Sequence, residues 1–159
     1  MSTESSHIAF LNQAIELAEI AESENEVPIG AVIVTNGKII GKGWNQKEQT
    51  LDVSSHAEIN ALRDASRKIK NWRLTGAILY TTLEPCPMCL MACQNARIEL
   101  VVYGAKDSKG GSVSLGYDLH QDSRLNHQFK VRYFESLKCQ ELLKTFFKKK
   151  REENRKSSG

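Results

Sequence analysis

Ala77-Ile78-Leu79-Tyr80-Thr81-Thr82-Leu83-Glu84-Pro85-Cys86-Pro87-Met88-Cys89 reads as a strand running into a helix. The apolar, β-rich run 77–82 predicts the strand. Pro85 stops its pairing, and Pro87 suits the first position of a helix reaching about Ala96. Leu100 to Gly104 follows as a short apolar strand. Strand, helix and strand in this order predict a right-handed parallel crossover inside an α/β sheet.

Upstream, Ile8, Leu11, Ile15 and Ala18 recur at helical spacing, with Ala14 and Ala21 widening the face, so 7–23 is expected to form an amphipathic helix. Residues 30–35 and 38–44 read as strands joined by Asn36-Gly37, a strong hairpin signal. Ser55 is expected to cap a helix running to about Ile69, with Ile59, Leu62, Ala65 and Ile69 facing inward. Downstream, 105–128 reads as mostly loop holding one short helix, 129–134 as a fifth strand and 139–156 as a last helix. The pattern predicts a three-layer α/β/α sandwich around a five-stranded mixed sheet. The 159 residues make a single domain, 1–159, with 1–6 and 157–159 expected to be disordered.

The net charge of +3 is unevenly placed: residues 144–159 carry +5 and the rest −2. The polar first residues and the lack of a long apolar run predict neither a signal peptide nor a membrane helix. With four cysteines, two of them at metal-like spacing, the expected compartment is the reducing cytoplasm.

Two predicted helix starts carry the chemistry. A catalytic zinc usually has three protein ligands and an open fourth position, where water loses its proton near neutral pH. His56, Cys86 and Cys89 supply three ligands, leaving Glu58 as a separate proton carrier, with one Zn2+ and no organic cofactor. Positive dipole ends at both helix starts favour thiolates. Each part alone has a plainer reading. Ser55-x-x-Glu58 also fits a capping box, and Cys-Pro-Met-Cys a thioredoxin-like redox pair. A structural zinc site would need a fourth ligand, and the chain has no second C-x-x-C and no H-x3-H. Together, H-x-E and P-C-x-x-C resemble the signature of the zinc deaminases. The reaction expected is hydrolytic removal of an exocyclic amine from a nucleobase. Cys93 and Cys139 read as small buried apolar residues.

From about Ile8 to Arg151 the chain resembles the bacterial tRNA-specific adenosine deaminases. The resemblance rests on Glu26-Val27-Pro28-Ile29-Gly30-Ala31, Gly43-Trp44-Asn45, His56-Ala57-Glu58-Ile59, Trp72-Arg73-Leu74, Thr82-Leu83-Glu84-Pro85-Cys86, Arg97-Ile98, Asn126-His127 and Phe146-Phe147. It implies the cytidine deaminase-like fold, a homodimer, and conversion of the wobble adenosine of a tRNA anticodon stem-loop to inosine. By position, Asn45 is implied to hydrogen-bond the flipped base, Ile29 to pack beside it and Asn126 to contact the extruded nucleotide. No catalytic role is carried over to His127. Read without the resemblance, Asn45 is a strand-end turn former and Ile29 a core residue.

Four departures bear on substrate and dimer packing. Leu90-Met91 replaces the Ala-Gly that usually follows the second cysteine. Pro87 stands where Val is frequent, as in several free-base deaminases. Val113-Ser114-Leu115-Gly116-Tyr117 replaces a Gly-Ser-Leu segment, and Cys93-Gln94-Asn95 a more apolar run. The alternatives are therefore a deaminase of free guanine or cytosine type, and an inactive zinc-binding partner subunit, against which the intact Glu58 argues. Lys144, Lys148, Arg151 and Arg155 fall on one face of the last helix, opposite Leu142, Leu143, Phe146 and Phe147, a stripe suited to RNA phosphates or to plain solvation.

Overall fold

A computed structural model of the chain describes residues 3–158. The elements run α1 Glu4–Ser23, β1 Gly30–Thr35, β2 Lys38–Trp44, α2 Lys47–Thr50, α3 Ala57–Ile69, β3 Ile78–Thr81, α4 Pro87–Asn95, β4 Leu100–Tyr103, a 3-10 turn Leu119–Gln121, β5 Lys130–Tyr133 and α5 Leu137–Ser157. The sheet order is β2-β1-β3-β4-β5. β1 runs antiparallel to both β2 and β3, whereas β3, β4 and β5 are parallel, so the expected mixed sheet and parallel β3–α4–β4 crossover are both present.

β1 shows how the two larger of three buried clusters are divided. Ala31 and Ile33 pack with Ala57, Ala61, Leu62, Leu79, Leu90 and Val101 beneath α3 and α4. Val32 and Val34, pointing the other way, join Leu11, Leu17, Tyr80 and Val102 beneath α1. The period of two gives a strand buried on both faces. Each large side chain so buried contributes roughly 1.5–3 kcal/mol.

α3 lies close against β2 because the strand offers glycine there. A Cβ at Gly43 would overlap the backbone of Ala57 and Ala61, and one at Gly41 would meet Ala61 O and Ala65. That contact fixes the height of the first turn of α3, where His56 and Glu58 sit.

The structure corrects several local expectations. α1 begins at Glu4, capped by the Thr3 hydroxyl, and α5 runs through Ser157, so of the ends expected to be disordered 4–6 and 157 lie in helices. Met1, Ser2 and Gly159 lie outside the described residues. The buried stripe of α1 contains His7 rather than Ile8, which is exposed. Along α3, Leu62 and Ala65 face inward as expected, but Ile59 is half-buried and Ile69 exposed. Ser55 does not cap that helix; its hydroxyl is engaged with the Asn60 side chain, and His56 takes the N-cap position. α2 was not foreseen. The buried Glu26 carboxylate accepts from the backbone N–H groups of Glu48 and Gln49, satisfying helix-start donors that the N-cap Gln46 side chain does not. The described residues contain no helix long and apolar enough to cross a membrane.

Candidate active site

The carboxyl ends of β3 and β4 meet the amino end of the antiparallel β1, and the site opens at this edge. His56 is the N-cap of α3 and Cys86 the N-cap of α4, with Pro87 at the first helical position as the sequence suggests. Two helix N-termini therefore converge. His56 Nδ1 lies 3.4 Å from Cys89 Sγ and 3.7 Å from Cys86 Sγ. The three ligand atoms lie within 4.8 Å of one another, a group that can hold a metal ion.

The donor set fits a divalent zinc. One imidazole and two sulfurs suit its borderline-soft character, and three protein ligands are the catalytic rather than the structural number. The two thiols compete for protons. Hydrogen bonds from Cys89 and His56 draw Cys86 down to about 4, while the bond to Cys86, and then burial, push Cys89 upward. A cation would displace the shared proton and satisfy both as thiolates.

Glu58 is 4% exposed in the first turn of α3. Burial is the largest influence on its carboxyl and, with the Cys86 charge, pushes it up to about 7. A carboxyl balanced in that range both accepts and releases protons near neutral pH.

A cavity of about 230 Å3 opens beside these groups, lined by Ile29, Asn45, Lys47, Glu58, Asp107 and Phe147 among others. Asn45 follows β2; its Nδ2 donates to Val27 O at 3.3 Å and its Oδ1 accepts from Lys47 N at 3.2 Å. Two donors and two lone pairs belong to an amide, so one of each is left for a ligand. Ile29 forms part of the apolar wall.

Asn126 is not brought to this cavity. Its Oδ1 accepts from Gln94 Nε2 at 2.9 Å, at the far end of α4 from the cysteines. Gln94, one of the departures from the more apolar run, is buried and bonded there. Cys93 and Cys139 are fully buried free thiols, as expected. Sequence reasoning missed Lys47, Glu84 and Asp107 as lining residues, and placed Phe147 on the packing face of the last helix. Phe147 instead is 45% exposed and reaches the cavity, while Phe146 packs inward. Signals existed for Glu84 and Phe147 in the stretches quoted for the resemblance; Lys47 and Asp107 carried none.

A mixed five-stranded sheet between helices, with an imidazole, two thiols and a buried carboxyl at two helix starts, defines the class of zinc-type base deaminases. The MafB19-like deaminase family matches residues 5–151. The tRNA-specific adenosine deaminase of Haemophilus influenzae is 42% identical over 147 residues, which cover 91% of this chain and 85% of that protein. A solved structure from studies of A-to-I editing by tRNA:A34 deaminases at the wobble position of transfer RNA superimposes with a TM-score of 0.79. It is 39% identical, over 86% of this chain and 99% of the other. Guanine deaminase from Bacillus subtilis superimposes with a TM-score of 0.62 at 34% identity, over 82% of this chain and 86% of that one. The chain belongs to the MafB19-like deaminases and to the tRNA-specific adenosine deaminase family.

Proposed function

We propose that the protein hydrolyses the 6-amino group of the wobble adenosine, position 34, of a tRNA anticodon loop, producing inosine and ammonia. The observation that carries this reading is the buried Glu58 beside His56, Cys86 and Cys89, in a cavity with Lys47 and Phe147 among its walls. Kinship with the adenosine deaminases of tRNA supplies the choice of base and polymer.

His56, Cys86 and Cys89 would hold one Zn2+, whose Lewis acidity makes water a nucleophile at neutral pH. Glu58 takes a proton from the attacking water as its oxygen bonds to C6 of adenine, and delivers that proton to N1. Glu58 then moves the second proton to the 6-amino nitrogen. The C6–N bond breaks, ammonia leaves and a carbonyl remains. Asn45 orients the base edge with its free donor and lone pair, and Ile29 packs against the ring. Asn126, exposed outside the cavity lining with its Oδ1 on Gln94, is assigned the contact to the extruded nucleotide by kinship alone. No organic cofactor takes part.

An apolar groove of about 410 Å3 between α3 and α4, lined by Ile59, Leu62, Trp72, Ala92 and Ala96, supports a homodimer through this face. The protein is proposed to act in the cytoplasm, where tRNA is its macromolecular partner.

A second reading, deamination of free guanine, is favoured by the likeness to the Bacillus subtilis enzyme and by Pro87. The two are separated by incubating the purified, zinc-loaded chain with an A34 anticodon stem-loop and, separately, with guanine. Inosine at position 34 is expected; ammonia from guanine without inosine would replace the first reading with the second.

A further inference from the structure

The segment that delivers Cys86 is also the anchor of the loop walling the cavity. Glu84, two residues before Cys86, is 3% exposed. Its Oε1 accepts from Asp107 N at 3.1 Å and from the Ser114 hydroxyl at 2.5 Å, and its Oε2 from Ser114 N at 2.8 Å. Backbone bonds run alongside, from Glu84 N to Ala105 O at 2.8 Å and from Ser112 N to Pro85 O at 2.9 Å. Among the described residues no lysine, arginine or histidine pairs with Glu84. Its charged oxygens are held by loop donors alone.

Gly111 completes the arrangement. A Cβ there would overlap the Glu84 carboxylate and crowd Asp107 O, so the loop closes over the carboxylate only because residue 111 has no side chain. Glycine is required by close approach, since its φ is not in the left-handed region. Asp107, pinned by its own N–H, then stands among the cavity-lining residues.

We infer that Glu84 is a positioning residue: its carboxylate fastens loop 105–117 to the turn carrying Cys86, and so sets the wall against which the substrate nucleotide binds. The inference rests on the proposed activity for its kinetic consequence, but its structural half does not. A carboxylate meets donors on both oxygens, whereas a glutamine would turn an N–H toward one of them, leaving donor against donor. Replacing Glu84 by glutamine or adding a methyl at Gly111 should therefore release the same wall from opposite sides.

The test uses the zinc-loaded full chain and its E84Q and G111A variants. Amide hydrogen exchange across 105–117 should quicken by at least about tenfold in both variants, the amides of Asp107 and Ser114 leading. KM for the A34 stem-loop should rise by about tenfold or more, with a smaller fall in kcat, because a loosened wall weakens binding before it disturbs proton transfer. Zinc content should stay at one ion per chain. S114A, which keeps its backbone N–H bond to Oε2, should fall between wild type and E84Q. Unchanged exchange in E84Q and G111A would overturn the inference. So would faster exchange with an unchanged KM, which would leave the network a purely structural fastening. If wild type makes no inosine on the stem-loop, the proposed function fails by itself, and the exchange comparison still decides whether Glu84 holds the loop.

Discussion

His56 Nδ1 stands 3.4 Å from Cys89 Sγ across 33 residues of sequence, brought there by two helices that begin side by side. Neither helix start is capped by its own N-cap side chain. Those positions, usually given to Ser, Thr, Asp or Asn, are held by His56 and Cys86, which turn toward each other instead. Local helix stability is thus subordinated to assembly of a ligand set, a conflict expected at functional sites.

Glu58→Gln preserves shape and removes the proton carrier. We expect kcat on the stem-loop to fall by about 10²–10⁴-fold, with KM changed only a few-fold and zinc retained. Steady-state kinetics with metal analysis of the same sample checks this. Loss of zinc in the variant would mean that the carboxyl acts as a ligand.

Gly43→Ala should lower stability by about 3 kcal/mol, the upper end of the usual overpacking cost, because its methyl would press on the backbone of α3 rather than on a flexible side chain. For a chain of this size that corresponds to a Tm roughly 6–12 °C lower. Gly37→Asn, in open space at the hairpin turn with φ of 74°, should cost under about 1 kcal/mol. Calorimetry on both variants measures the contrast.

Acid should weaken the fold through His7. This ring is buried 2.9 Å from the Tyr80 hydroxyl, and burial, then the Arg132 guanidinium, hold it below its ordinary value, with Glu4 acting the other way. The unfolded chain therefore binds the proton more readily. Its contribution is fully present above the unfolded value of about 6.5 and is lost as pH falls from there toward the lower folded value. His120 is lowered in the same direction by burial, so both rings share the effect. Denaturant titrations from pH 8 to 5 should show wild type losing stability relative to His7→Asn; Glu58, pushed up to about 7, acts in the opposite direction in both proteins and drops out of the difference. Equal slopes in the two proteins would remove His7 from this explanation.

Changing Lys144, Lys148, Arg151 and Arg155 together to Gln should raise KM for the stem-loop and flatten its dependence on salt, by about 0.7 in log–log slope for each phosphate no longer neutralised. All four are exposed on α5, the helix that brings Phe147 to the cavity, so the fold should be unaffected. An unchanged salt slope would assign the stripe to solvation.

Much of this architecture is legible in the chain because it rests on local rules. Asn36-Gly37 marks the hairpin, Pro85 and Pro87 mark the strand-to-helix change, and the H-x-E and C-x-x-C spacings mark the metal group. What escaped depends on contacts between distant residues. α2 exists because the carboxylate of Glu26, 22 residues before Glu48, caps its start. Ser55 turns its hydroxyl to Asn60 while His56 takes the cap position, and Asn126 stands outside the cavity lining with its Oδ1 on Gln94. Glu84 looks like an ordinary acidic residue until the loop that folds onto it is seen. Ile69 obeys the helical period yet lies exposed in the last turn of α3, where it joins none of the three buried clusters.

X-ray absorption at the zinc edge of the purified protein reads the ligand set without reference to any substrate. One zinc per chain is expected, with two sulfurs near 2.3 Å, one imidazole nitrogen near 2.0 Å and a light-atom fourth neighbour, at roughly the usual zinc distances. A third sulfur, which would draw Cys93 into the set, or a protein that binds no zinc, would contradict this coordination and the chemistry built on it.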